Sequence, residues 1–315
     1  MTETPDNRHG TQPEISVVIP VYGCARCLST LHQRLVTALS AISPHYEIIY
    51  VDDASPDEAW AELSQLAAQP GTRAVQLSRN FGQQAAITAG LSLSRGRWTV
   101  VMDCDLQDPP EYIKHLYDRA REGYDLVLGK RKGKQHTLLR RLGSRAYFAV
   151  LNRLMTYPID PEYGTFSILS RPVVDGFLRV RTHAQHYLFI LNWLGYRSST
   201  IEYAHGERAD NGDSGYTLGA LVKFAIEGLL LQTTRLLRGI VYGGFFVALV
   251  GFFLALYLVW RYFAVGALSG WTSLSVLILV VGGSLIFSLG IVGLYVGKIF
   301  EQVQARPQFV IAREA

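Results

Sequence analysis

Two familiar phosphate cradles are missing from this 315-residue chain. No Gly-x-Gly-x-x-Gly follows its first apolar run, and no Gly-x-x-x-x-Gly-Lys-Ser/Thr occurs anywhere. A backbone grip on phosphate of the dinucleotide or P-loop type is therefore disfavoured, and a phosphorylated ligand must have its charge met in another way. Cysteine is scarce: Cys24, Cys27 and Cys104 are the only three. Cys24-x-x-Cys27 has no second ligand pair to complete a structural zinc site, so all three read as ordinary thiols, with Cys24 and Cys104 placed to line a site. The net charge of +4 is too mild to imply a nucleic-acid partner. The start of the chain lacks the apolar run of a signal peptide: residues 1–12 are polar, carry Pro5 and Gly10, and read as a disordered leader.

Charge itself is absent from two long stretches. Residues Ile240–Trp260 and Thr272–Gly297 contain no Asp, Glu, Lys or Arg. Each exceeds the roughly 20 residues that a bilayer crossing needs, and two such runs in succession argue against a buried hairpin of a globular core. Arg235 and Arg238 precede the first run; Lys298, Arg306 and Arg313 follow the second; the connector from Arg261 to Trp271 carries Arg261 alone. The positive-inside rule then puts the N-terminal domain and the tail in the cytoplasm, on the inner face of a multi-pass protein of the cytoplasmic membrane. The expected organisation is a leader at 1–12, a catalytic-type domain at 13–214, a juxtamembrane helix region at 215–238, two spans within 239–297 and a tail at 298–315. The stretch from Tyr216 to Leu237 has apolar residues near helical spacing and reads either as an interfacial amphipathic helix or as an ordinary surface helix of the domain.

The first 130 residues alternate between strand and helix patterns. Strand-like runs lie at Ile15–Pro20, Glu47–Val51, Ala74–Leu77, Thr99–Met102 and Asp125–Leu128, with helical stretches near 26–42, 57–69, 81–95 and 109–122. This predicts an α/β fold with a mostly parallel, Rossmann-like sheet, in which ligands sit at the carboxyl ends of the strands. Polar residues gather at those ends: Tyr22, Asp52 and Asp53, Asp103 and Asp105, and Arg131. Asp103-Cys104-Asp105 closes the fourth run. Alternation along a strand puts the two carboxylates on one face, suited to hold Mg²⁺ or Mn²⁺ against a substrate's phosphates. The competing reading is a strand-to-helix turn whose acids only cap the helix; Asp108 before Pro109 fits that role. Lys130 to Arg145 is a basic stretch that either makes a solvated helix face or meets a second anion. Arg131 and Arg145 are the candidates for the latter, because a guanidinium fork matches phosphate.

Taken together, Val51-Asp52-Asp53-Ala54-Ser55, Arg79-Asn80-Phe81-Gly82-Gln83, Asp103-Cys104-Asp105-Leu106-Gln107-Asp108-Pro109-Pro110-Glu111 and Gly129-Lys130-Arg131 resemble the family 2 glycosyltransferases of GT-A fold. Within them the chain is similar to the polyprenyl-phosphate (dolichol-phosphate) glycosyltransferases, bacterial members with two C-terminal spans above all. The resemblance continues through Gly206-Glu207-Arg208 and both apolar runs to Ala305-Arg306-Pro307. It implies an inverting transfer from a nucleotide-diphosphate sugar, a UDP-sugar first among them, to undecaprenyl or another polyprenyl phosphate. It implies that Pro20, Tyr22, Val51 and Asp53 hold the nucleoside, that Asp103, Asp105 and Gln107 hold metal and diphosphate, that Arg131 and Arg145 meet the lipid phosphate or the donor diphosphate, and that Arg208 closes over the donor. Cys104, between the two acids, belongs to the donor-binding set by position, and Asp105, Arg131 and Arg145 form the catalytic set. Gly23-Cys24 stands where the family often has Asn-Glu, and Gly212-Asp213-Ser214-Gly215 lacks the family's Lys. No Gln-x-x-Arg-Trp motif is present, which favours a single transfer over processive synthesis. Gly293-x-x-x-Gly297 permits close helix packing, within one hairpin or in a homo-oligomer, and the resemblance suggests a tetramer. Two other functions remain open at this level: transfer to another glycan acceptor, and a non-catalytic nucleotide-sugar-binding membrane scaffold.

Overall fold

The computed structural model describes residues 12–132, 163–180, 187–204, 242–246, 271–304 and 306–315, with isolated positions between 249 and 264. Arg145, Arg208, most of the basic stretch, the juxtamembrane region and the leader up to residue 11 lie outside the described residues. The chain divides into two compact units, one of Met1–Ala149, Tyr157–Gly215 and Pro307–Ala315, the other of Val150–Thr156 and Tyr216–Arg306.

The first unit is built on one eight-stranded sheet. In chain order its elements are β1 (Ile15–Val21), α1 (Ala25–Ser40), β2 (Tyr46–Asp52), α2 (Ala59–Leu66), β3 (Thr72–Leu77), α3 (Gln83–Leu93), β4 (Trp98–Val101), a short 3₁₀ turn at Pro110–Tyr112, α4 (Ile113–Arg121), β5 (Leu126–Lys132), β6 (Tyr163–Ser170), α5 (Arg171–Arg179), α6 (Tyr187–Leu194) and β7 (Ser198–Ala204). β8 (Ile311–Glu314) closes the set. The strand order is β7-β5-β6-β4-β1-β2-β3-β8, and β6 and β8 run against the other six. Helices on both faces explain why the central strands are apolar without alternation, as in the fully buried Ile-Ser-Val-Val-Ile-Pro-Val of β1. Val17 and Ile19 face α1 and α4, while Val18 faces α3. Gly90 makes this second contact possible: a Cβ there would lie 2.2 Å from Val18 Cγ1, so α3 rests on the sheet at a separation only glycine allows.

The alternating segments expected over the first 130 residues are all found, with ends shifted by a few residues. Two local expectations are corrected. β4 stops at Val101, so Asp103 and Asp105 lie in the turn beyond it and are placed by that turn, with Leu106 at φ 64°, rather than by strand alternation. Asp108 does not cap the following helix: Pro109 occupies the cap position, and the Asp108 carboxylate is turned inward and fully buried. Beyond residue 132, three features were not read from the pattern. β6 inserts antiparallel between β4 and β5, β7 adds a parallel edge, and the segment after the second apolar run returns as β8 to pair with β3.

In the second unit, α7 (Trp271–Val303) is one continuous helix of 33 residues. Leu285, Ile286, Leu289, Ile299 and Phe300 stand exposed along it. Many of its side chains lie outside the described set, and among the described residues no helix is long and apolar enough to cross a membrane. Residues 242–246 of the first uncharged run are helical as well.

One buried titratable group links this fold to pH. His32 on α1 is enclosed, with Nδ1 3.2 Å from Tyr50 Oη and Nε2 2.9 Å from Gln69 Oε1. Burial holds its pKa below the usual imidazole value, against the opposing pull of Gln69. The unfolded chain therefore takes up a proton first, and stability is lost as pH falls through about 6.5. The thermal midpoint of wild type should drop between about pH 7 and 5, and that of His32→Gln should drop less over the same window.

Candidate active site at the strand ends

The level register of β1 and β2, with Pro20 opposite Val51 and Val21 opposite Asp52, brings Tyr22 and Asp53 out side by side. Pro20 and Val51 are buried, Val51 in the core against α3, while Tyr22 is 53 % exposed. Asp53 is enclosed. Its Oδ1 accepts the Phe81 N–H at 2.7 Å and its Oδ2 the Gly82 N–H at 2.8 Å, which pins the Arg79–Gly82 loop to the end of β2. Burial raises the Asp53 pKa and these two N–H donors partly offset the rise. The next residue, Ala54, sits at φ 53°, in the left-handed region that a side chain rarely adopts. The two loops are also tied to each other: Gly23 N–H donates to Ser55 Oγ at 3.2 Å and Ala25 N–H to Asp57 Oδ2 at 2.9 Å. The result is a pair of mutually tied loops that carry the exposed Tyr22 ring near a carboxylate whose two oxygens each accept a backbone N–H.

Beside it lies an acidic cluster. Asp103 Oδ1 accepts from Thr165 Oγ1 at 2.9 Å and from Gln83 Nε2 at 2.7 Å. Its Oδ2 lies 3.9 Å from Arg131 Nη2, and the same nitrogen lies 3.6 Å from Asp108 Oδ1. Tyr203 Oη donates to Asp108 Oδ1 at 2.5 Å and accepts from Arg131 Nε at 3.1 Å. Asp105 Oδ1 accepts the backbone N–H of Gln107 at 3.1 Å, which closes the turn that carries both acids. Burial first, then the charges of Asp108 and Asp105, push the Asp103 carboxyl up to about 6, against the Thr165 hydrogen bond and Arg131. Burial alone would lower the Arg131 guanidinium, but Asp108, Tyr203 and Asp103 more than reverse it, so Arg131 stays a fixed cation.

The structure thus brings together Pro20, Tyr22, Val51 and Asp53 on one side and Asp103, Asp105 and Arg131 on the other. Cys104 turns its side chain into the apolar core, and its carbonyl accepts from Cys24 Sγ at 3.4 Å, so what it presents toward a donor is backbone. Gln107 enters through its main chain. Thr165, Gln83, Asp108, Tyr203 and Gly164 belong to the cluster but were not singled out from the sequence as site residues. Gln83 could have been, because it ends the Arg-Asn-Phe-Gly-Gln motif.

Among the described residues no group of three or more His, Cys, Asp or Glu is arranged as a metal site. Two neighbouring carboxylates nevertheless fit Mg²⁺ or Mn²⁺, which commonly take one or two protein oxygens and complete their shell with substrate phosphates and water. The clamp of Thr165 and Gln83 on Asp103 Oδ1 leaves Oδ2 on the Arg131 side, and burial first, then the neighbouring carboxylates, raise the Asp103 pKa, a load that a bound cation would relieve.

The sheet order places the carboxylate pair beyond β4, beside β1, at the carboxyl ends of the strands where ligands of such sheets sit. The description Glycosyl transferase family 2 matches residues 16–177. Over 305 residues the chain is 30% identical to an uncharacterized glycosyltransferase, YkcC, of Bacillus subtilis, covering 95% of this chain and 94% of that protein. Over 309 residues it is 34% identical to the undecaprenyl-phosphate 4-deoxy-4-formamido-L-arabinose transferase of an Enterobacter species, covering 95% and 93%. Among solved structures it is similar to glucosyl-3-phosphoglycerate synthase of Mycobacterium tuberculosis, crystallised with Mn²⁺, UDP and glucosyl-3-phosphoglycerate, at 16% identity over 70% of this chain and 78% of that one, with a TM-score of 0.49. The chain belongs to glycosyltransferase family 2, and it is a glycosyltransferase with a GT-A-like domain.

Gly164 tests the cluster. A Cβ there would lie 2.6 Å from Arg131 Nη2 and 2.8 Å from its Cζ, so the guanidinium rests on bare backbone. Because the group displaced is the end of a flexible side chain, Gly164→Ala needs no backbone shift, but it should move Arg131 off the acids and leave Asp108 buried without its cation. It should lower kcat by about tenfold to a hundredfold, as read by steady-state turnover, and lower the thermal midpoint as well.

Proposed function

We propose that this protein transfers one sugar from a nucleotide-diphosphate sugar to undecaprenyl or a similar polyprenyl phosphate, with inversion, on the cytoplasmic side of the inner membrane. The observation that carries the reading is the placement of Asp103, Asp105 and Arg131 beside the Tyr22–Asp53 pocket, in a chain that aligns with 93% of an undecaprenyl-phosphate transferase. Tyr22, Pro20, Val51 and Asp53 seat the nucleoside, and a UDP-sugar is the donor to test first. Asp103 and Asp105, with Gln107 beside them, would hold Mg²⁺ or Mn²⁺; when bound, the cation neutralises charge on the leaving diphosphate. Arg131 adds a fixed positive charge next to that position. By the family resemblance Arg145, with Arg131, would meet the lipid phosphate or the donor diphosphate, and Arg208 would close over the donor. The acceptor phosphate has a second pKa of about 6 and is mostly a dianion at neutral pH. It needs alignment and shielding from the donor's charge more than it needs a general base.

Three facts support a two-span anchor. Both uncharged runs exceed the length of a crossing. α7, at 33 residues, is about 50 Å long at 1.5 Å per residue and carries exposed Leu, Ile and Phe side chains. The chain on either side of the two runs ends in one sheet, since β8 pairs with β3, and a segment that leaves and rejoins one domain crosses a bilayer an even number of times. Gly290, Gly293 and Gly297 lie within seven positions on α7, and small residues at such spacing permit close packing against another copy in a homo-oligomer, a tetramer by the family resemblance.

Membranes holding the protein, given labelled UDP-sugars and undecaprenyl phosphate, should yield an organic-extractable, mild-acid-labile lipid sugar. Label appearing only in a glycan would overturn the acceptor assignment, and donor binding without any turnover would favour a scaffold. Asp105→Asn should lower turnover about a thousandfold with membrane extraction unchanged, and chelation of wild type should abolish activity that Mn²⁺ or Mg²⁺ then restores.

A further inference from the structure

The nucleoside loop is reached by a hydrogen-bonded chain that starts on the last strand. Arg313 on β8 lies opposite Gln76 on β3 and donates from Nε to Gln76 Oε1 at 2.7 Å. Gln76 Nε2 donates to Asp52 Oδ2 at 2.6 Å, Asp52 Oδ1 accepts the Ser55 N–H at 3.0 Å, and Ser55 Oγ accepts the Gly23 N–H at 3.2 Å. The polarity of each link is forced. A guanidinium only donates and an ionised carboxylate only accepts, so the Gln76 amide satisfies both in one orientation alone. Arg313 is itself braced, with its guanidinium carbon 4.6 Å from the centre of the Trp60 ring on α2. Asp52 is fully buried and directly precedes Asp53 and the left-handed Ala54. A buried carboxylate that loses one of its donors turns or draws in water, and the loop it anchors moves with it.

We propose that Gln76 and Arg313 are positioning residues for the donor, and that β8 completes the nucleoside pocket from outside it. The inference rests on the reading that Tyr22 and Asp53 hold the nucleoside. Neither Gln76 nor Arg313 touches the donor. Gln76 holds the Asp52 carboxylate, Asp52 and Ser55 hold the loops after β2 and β1, and those loops set the spacing of Asp53 and Tyr22. The segment that follows the apolar runs is thereby a working part of the donor site, and its docking governs donor affinity in preference to chemistry.

The test uses the full chain in lipid nanodiscs. UDP, GDP, CDP, ADP and dTDP are titrated in the presence of Mg²⁺, with KM for donor, KM for lipid and kcat measured in parallel. Gln76→Leu should weaken nucleotide binding about tenfold and Arg313→Met about threefold to fivefold. Donor KM should rise in step, while lipid KM and kcat stay within about twofold. Gln76→Glu sets a carboxylate against Asp52 and should bind worst of the single variants. Combining it with Asp52→Asn reverses the donor and acceptor of that link, keeps an acceptor for Arg313, and should return affinity to within about threefold of wild type. General loss of stability would lower kcat and raise both KM values together, with no rescue by the swap, and that result would overturn the proposal. Variants that bind nucleotide like wild type would overturn it alone. A wild type that binds none of the five nucleotides would overturn the donor reading and the relay with it.

Discussion

A guanidinium set between a buried and a half-buried carboxylate is the interaction on which the site depends. Asp108 is fully buried and Asp103 half-buried, and negative charge taken out of water in such a place is costly unless a cation and hydrogen-bond donors meet it. Arg131 supplies the cation, and Tyr203, Thr165 and Gln83 supply the donors. The sheet order makes the meeting possible. β6, running against its neighbours, carries Gly164 and Thr165 between β4, which leads into the acids, and β5, which carries Arg131. Bare backbone at Gly164 lets the guanidinium lie flat against the strand. Among the described residues of the cluster, Asp103, Asp105 and Asp108 face Arg131, and the proposed divalent cation would balance that acidic excess.

The two halves of the site use different physics. The Tyr22–Asp53 side, proposed above to seat the nucleoside, is held by hydrogen bonds: Asp53 spends both oxygens on backbone N–H groups and so braces the Phe81–Gly82 turn. The Asp103–Arg131 side, proposed to meet the diphosphate, is built of charged groups. The two sides meet where β1 and β4 lie side by side, at the point where connections depart to opposite sides of the sheet. Membership of family 2 accords with that placement, and Gly23 and Cys24, two of the residues that differ from the family pattern, follow directly on Tyr22.

Much of this was legible in the order of residues, and what was not has identifiable causes. The strands β1 to β5 and the helices between them follow from long apolar runs separated by helical spacing, signals strong enough to survive tertiary context. The acids at Asp103 and Asp105 and the Arg at 131 were visible because strand ends in such sheets collect function. Asp108 was misread because Asp-Pro-Pro-Glu is a good helix start, and the local signal was overridden by Tyr203, 95 residues away, offering a hydroxyl in the interior. β6 was missed because Tyr-Gly-Thr-Phe-Ser-Ile-Leu-Ser mixes small polar residues with apolar ones, and no local pattern states that a strand will insert between two others. β8 was missed because Ile-Ala-Arg-Glu is short and mostly exposed, with nothing to pack until the β3 edge exists.

That last strand also sets an order of assembly. During synthesis β3 is complete long before Ile311 leaves the ribosome, and more than 200 residues, including both uncharged runs, emerge in between. For that interval the outer edge of β3 has open N–H and C=O groups, the condition in which sheets recruit foreign strands. Closure of the β3 edge therefore waits on the emergence of β8, and a chain halted before Ile311 is left with an unsealed edge.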